Sequence, residues 1–111
     1  MIRETSHGTL TFEYRGGRPL PSAPPPTLAG VVGSGNLEVL VEPTDLGGAC
    51  RIEVLTAAVG FGAIWQAVMD DFFDRHPVAD VRISINDVGA TPAVVSLRLD
   101  QALESFTGAR P

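Results

Sequence analysis

Gly60 to His76 reads GFGAIWQAVMDDFFDRH. Phe61, Ile64, Trp65, Val68, Met69, Phe72 and Phe73 recur at intervals of three and four residues, the continuous stripe of an amphipathic helix. The stripe holds the single Trp and three of the five Phe, which favours the main wall of a core over a groove for a partner. Gln66, Asp70, Asp71, Asp74 and Arg75 form the polar face, either solvated or set against basic patches of larger subunits. His76 precedes Pro77, where a helix must stop, so it reads as a terminal cap and not as a ligand or base.

On both sides of this helix the period of the apolar residues drops to two, the period of half-buried strands. Upstream, Gly8 to Tyr14 alternates Leu10, Phe12 and Tyr14 with Thr9, Thr11 and Glu13, and Arg51 to Thr56 places Ile52 and Val54 against Arg51 and Glu53. Downstream, Val81 to Asn86 alternates Val81, Ile83 and Ile85 with Arg82, Ser84 and Asn86. Thr91-Pro92 then supplies an N-cap followed by proline at the first helical position, which starts a second helix running to about Phe106. Asn86, Asp87, Gly89, Thr91 and Pro92 are read as shaping the loop before it, with docking as the alternative.

Between the first and fourth strands lies Thr27 to Glu42. Strand-like Thr27 to Val32 and Leu37 to Glu42 flank Gly33-Ser34-Gly35-Asn36, an antiparallel hairpin whose tight turn would present the Ser34 hydroxyl. Four or five strands and two helices joined by short links predict an α+β two-layer sandwich: a mainly antiparallel sheet with both helices on one face. The chain is expected to form one domain over residues 1–111, with 1–7 and 107–111 as mobile tails and 16–27 as a Pro/Gly-rich connector.

Composition narrows the function. A chain of 111 residues can bury roughly two thirds of its unfolded surface without a disulfide or metal. One cysteine, Cys50, allows no internal disulfide, and the start MIRETSH does not resemble a secretory leader, so a reducing cytoplasm is expected. No apolar run approaches the ~20 residues of a membrane helix, so a soluble protein is expected. Eight arginines and no lysine against thirteen acids give a formal charge of −5, which argues against nucleic acid as the partner. A 44% hydrophobic content in so short a chain suggests apolar surface kept for another subunit.

The residues offer no self-sufficient active site. Ser34 lacks the Gly-x-Ser-x-Gly frame of a hydrolase elbow, since Val32 and Asn36 stand where glycines are needed, and the two histidines sit in a tail and at a helix end. Gly33-Ser34-Gly35 has Glu38 in place of the third glycine of a dinucleotide loop. No Cys/His cluster has metal-ligand spacing. A serine displayed between two glycines on a small acidic body is what a carrier needs, although a plain hairpin turn would look the same.

Three segments resolve that ambiguity. VGSGNLEVLVEP (Val32 to Pro43), FGAIWQAVMDDFFDRHP (Phe61 to Pro77) and INDVGATPAVVSLRLDQALE (Ile85 to Glu104) together resemble, in order and spacing, the acyl carrier (δ) subunit family of malonate decarboxylases, related in role to the citrate lyase carrier. Asn36 stands where the resemblance leads one to expect an acidic residue. The resemblance implies that Ser34 carries 2'-(5''-phosphoribosyl)-3'-dephospho-coenzyme A through a phosphodiester bond, with Gly33 and Gly35 giving turn geometry and access. It further implies a non-catalytic carrier of acetyl and malonyl thioesters. The implied partners are the acyl transferase and decarboxylase subunits, a malonyl transacylase and a prosthetic-group transferase, with no metal, membrane or nucleic acid. The competing reading is an unmodified assembly or regulatory subunit.

Overall fold

The computed structural model describes residues 2–4, 9–20, 24–29, 37–56 and 61–108. In chain order the elements are β1 (Ile2–Glu4), β2 (Thr9–Tyr14), β3 (Arg18–Pro19), β4 (Thr27–Ala29), β5 (Leu37–Pro43), β6 (Cys50–Thr56), α1 (Gly62–Arg75), β7 (Val78–Ala79), β8 (Val81–Asp87) and α2 (Pro92–Thr107). Six strands make one sheet in the order β1-β2-β6-β8-β5-β4, and β3 pairs with β7 in a separate two-stranded ribbon.

The two-layer α+β architecture is as expected, with two differences. The main sheet has six strands, because Ile2–Glu4, taken as tail, pairs antiparallel with β2. It is mainly antiparallel, as expected, but contains one parallel pair, the central strands β6 and β8, whose outer neighbours are antiparallel. The parallel pair follows from connectivity: the chain leaves β6, crosses over the sheet as α1 and returns along β8, and such a crossover brings the strand back in the same direction. The expected connector over 16–27 contains β3 and the start of β4. There Gly17 passes so close to Val78 that a Cβ would lie 2.4 Å from the Val78 carbonyl oxygen. The second helix extends one residue beyond the expected end, through Thr107, and closes on Gly108 in the left-handed conformation at φ 73°.

Both helices cover the same sheet face. The register aligns Phe12, Ile52, Ile83 and Val41 in one row across the sheet and Leu10, Val54, Ile85 and Val39 in the next, and all eight are essentially buried. Trp65, Met69 and Phe72 of α1, and Val95, Leu99, Ala102, Leu103 and Phe106 of α2, close over these rows. The alternate residues face away from the helices, and across that face Arg51 donates to Glu13 at 3.0 Å and Arg82 to Glu53 at 2.7 Å.

The polar face of α1 is tied down within the chain. Tyr14 stacks on Phe73 with centroids 4.9 Å apart and donates its hydroxyl to Asp70 Oδ1 at 2.7 Å; burial, then the Asp70 carboxylate, push the Tyr14 phenol well above its ordinary pKa. His76 caps α1 as expected: its backbone N–H donates to the Phe72 carbonyl, and its ring Nε2 lies 3.1 Å from Asp100 Oδ1. At this same end of the sheet Asp80, at φ 59°, accepts from Gly48 N at 2.8 Å and Leu46 N at 3.1 Å, which holds its carboxyl below the usual carboxylate range.

Candidate functional site

The residues singled out by sequence, Gly33, Ser34 and Gly35, lie outside the described residues, as do 30–32 and Asn36. What the structure describes is the pair of strands that flank them. β4 and β5 are antiparallel, as expected for a hairpin, with Thr27 opposite Val41, Leu28 opposite Leu40 and Ala29 opposite Val39. Ser34 is the sequence midpoint of every one of these pairs. The register of β4 with β5 is therefore symmetric in sequence about position 34, which is a property of the pairing and not of the local motif.

β5 begins at Leu37, opposite Asp87 of β8, and Asp87 in turn stands beside Thr56 of β6. This last row of the sheet faces the helices. A carboxylate there has to be satisfied internally, since an unpaired charge shielded from water is costly. Asp87 is 4% exposed, and its two oxygens are engaged. Oδ2 accepts from the Thr56 hydroxyl at 2.8 Å, while Oδ1 accepts from Gly89 N at 3.1 Å and Ala90 N at 2.8 Å. The loop so formed needs Gly89 at φ 118°, a conformation L side chains rarely adopt.

The loop delivers the chain into α2 with the cap read from sequence. Thr91 Oγ1 accepts from Val94 N at 3.3 Å, and Pro92 opens the helix. Thr91→Ala is expected to cost about 1 kcal/mol, visible as a lower urea midpoint with an unchanged slope.

Between this loop and the first turns of α1 the fold leaves a pocket of ≈ 220 Å³. Phe61, Ile64, Trp65 and Val68 form one wall; Asp87, Ala90, Pro92 and Val95 form the other. Sequence reasoning assigned the entire apolar stripe of α1 to the core. In the structure its C-terminal part fills the core, whereas Phe61 and Ile64 remain about half exposed, at 51% and 47%, at the mouth of the pocket. The available signal was the width of the stripe: seven apolar residues in thirteen are more than one packed face uses.

The chemistry available in this region is that of a binding surface. Among the described residues no group of three or more His, Cys, Asp or Glu could hold a metal ion. Cys50 and His76 lie at the opposite end of the sheet, and burial pushes the Cys50 thiol up to about 12, far from a reactive thiolate. Among the described residues no helix is long and apolar enough to cross a membrane.

Comparison with known proteins connects the chain to a family. Residues 25–106 match the family model described as malonate decarboxylase delta subunit (MdcD). The chain is 66% identical over 101 residues to a malonate decarboxylase acyl carrier protein of Xanthomonas euvesicatoria pv. vesicatoria, covering 91% of this chain and 96% of that protein. It is 54% identical over 103 residues to the protein of the same description from Stenotrophomonas maltophilia strain K279a, covering 93% and 97%. Among solved structures, a chain in the crystal structure of a Pseudomonas malonate decarboxylase hetero-tetramer in complex with malonate superposes with a TM-score of 0.75 at 42% identity. It spans 88% of this chain and 97% of that one.

Proposed function

The chain belongs to the malonate decarboxylase delta-subunit family, and from that premise we propose that it is the acyl carrier subunit of such an enzyme, with Ser34 as its attachment point. Family membership supports the carrier role. The observation that carries Ser34 is the pairing of Ala29 with Val39, Leu28 with Leu40 and Thr27 with Val41, which makes this serine the midpoint of the hairpin.

The group proposed for Ser34 is 2'-(5''-phosphoribosyl)-3'-dephospho-coenzyme A, joined by a phosphodiester to the serine oxygen, with Gly33 and Gly35 giving a modifying enzyme access. When bound, it supplies a thiol that holds acetyl and malonyl groups as thioesters. The described residues fit such a cargo in one respect: the strands that lead to Ser34 emerge at the end of the sheet that carries the apolar pocket. The chain's own task is mechanical. β4 and β5 anchor the serine on a rigid sheet, and the arm then meets successive active sites at high effective concentration instead of by free diffusion.

On this reading the decarboxylation and acyl-transfer chemistry resides in the partner subunits and this chain contributes no catalytic residue. Its partners are the acyl transferase and decarboxylase subunits, a malonyl transacylase and the transferase that installs the group. The buried, unpaired Cys50 is in keeping with a reducing cytoplasm. Intact mass after co-expression with the prosthetic-group transferase tests the proposal: added mass is expected on the wild-type chain and none on Ser34→Ala. Added mass that persists in the variant would rule out Ser34 as the attachment point, and none on either chain would leave the unmodified assembly subunit as the reading.

A further inference from the structure

The pocket between α1 and the loop before α2 has one polar lining residue, Asp87, and its side chain is already engaged. Both Asp87 oxygens accept hydrogen bonds from Thr56, Gly89 and Ala90, so the carboxylate has little left to offer a polar guest. The other lining side chains are apolar, and no cation is among them. A group carrying its own carboxylate would be stripped of water here beside a fixed anion, which disfavours entry twice over. An uncharged group would replace water against Ile64, Trp65 and Val95 at no such penalty. The volume suits a short chain of a few atoms: a dry engineered cavity of about 150 Å³ holds benzene, and this one measures ≈ 220 Å³.

Position supplies the occupant. Leu37 stands opposite Asp87, the polar residue of the pocket lining. Ser34 is three residues before Leu37, and three residues span at most about 11 Å even when fully extended. Whatever is attached to Ser34 therefore starts within that reach of the sheet row that walls the pocket, and an arm with a ribose, a nucleotide and a pantetheine in series is longer than the gap. Tethered so closely, its far end samples the mouth formed by Phe61 and Ile64 at an effective concentration in the millimolar range.

We propose that this pocket receives the uncharged end of the Ser34-borne arm, as free thiol or acetyl thioester, and excludes the malonyl form. The inference rests on the carrier reading above. Its consequence is that the arm is docked against its own carrier when uncharged and is released to partner subunits when it bears a carboxylate.

Trp65, the single tryptophan of the chain, lines the pocket and reports directly on its contents. Carriers prepared in apo, thiol, acetyl and malonyl forms, each verified by intact mass, are compared by Trp65 emission. Quenching is expected in the thiol and acetyl forms, with the malonyl form emitting like the apo protein. The arm's thiol is also timed against a disulfide reagent, with the fully buried Cys50 as a silent background. If the arm is docked about nine-tenths of the time, only the free tenth reacts, so the wild-type rate should be about tenfold below that of Ile64→Asp, whose added charge bars the pocket. Ile64 is half exposed, so the substitution spares the core. Ala90→Leu, which fills the pocket without a charge, is expected to give the same release. Added mass with identical emission in all four forms, or with equal thiol rates in wild type and Ile64→Asp, would overturn the pocket inference and leave the carrier reading intact. Absence of added mass on the wild type would remove both.

Discussion

Malonate decarboxylase reconstituted with a Ser34→Ala carrier is expected to turn over malonate only at background. The substitution deletes the one oxygen through which the arm would be joined, and the loss is not graded, because a covalent anchor is either present or absent. Tethering raises the local concentration of a group by a factor on the order of 10²–10⁴ over a free one, so soluble cofactor added back should recover no more than a small fraction of the rate. The fold should not change. The pairs Thr27–Val41 and Ala29–Val39 use backbone groups that the variant retains, so circular dichroism and melting temperature are expected to match wild type. Full turnover by the variant, measured as malonate-dependent release of carbon dioxide, would mean that this chain serves the complex without carrying its acyl group.

The largest stability effect is expected at Asp87. It is the acidic member of the buried sheet row Leu37-Asp87-Thr56, and three donors converge on it. In Asp87→Ala the Thr56 hydroxyl loses this acceptor and the amides of Gly89 and Ala90 lose theirs. At about 1 kcal/mol or more for each bond lost, the cost should reach about 3 kcal/mol, which lowers the melting temperature of a chain this size by roughly 10–15 °C. Asp87→Asn keeps an oxygen for the two amides and should lose clearly less. Equal losses in both variants would mean that the negative charge, and not the acceptor geometry, holds the loop. An unchanged midpoint in Asp87→Ala would contradict the account of how α2 is launched.

Asp87 also shows what could be read from sequence and what could not. Val81, Ile83, Ile85 and Asp87 share one parity, and all four are buried on the helix-covered face. Alternation that ends on an aspartate looks like a strand that has stopped, so from sequence the residue reads with the loop. Its own side-chain bonds reconcile the two readings, since it is at once the last residue of the strand and the acceptor that shapes the turn.

The amphipathic helix, the Thr91-Pro92 start and the strands at Thr9, Leu37, Arg51 and Val81 were legible because period and caps are local properties. Pairing is not local. Alternation tells which face a strand buries and leaves its neighbour and direction open, so the parallel union of β6 and β8 emerges only from the crossover of α1 between them. Strands of two or three residues, such as Arg18–Pro19 and Ile2–Glu4, are too short to show any period. The pocket escaped for a related reason: a stripe shows that a helix face is apolar without showing how completely the opposing wall fills it. The candidate site was legible as a motif, Gly-Ser-Gly. Its hairpin symmetry about Ser34 could be stated only once the pairing of β4 with β5 was known.

That symmetry leads to the most direct measurement. With no lysine in the chain and Pro19 shielding Arg18, trypsin should release Gly16 to Arg51 as one peptide, containing the hydroxyls of Ser22, Thr27, Ser34 and Thr44. Tandem mass spectrometry of this peptide from protein purified with the intact decarboxylase is predicted to locate the added phosphodiester-linked mass on Ser34. An unmodified peptide, or the added mass on any of the other three hydroxyls, would contradict the account.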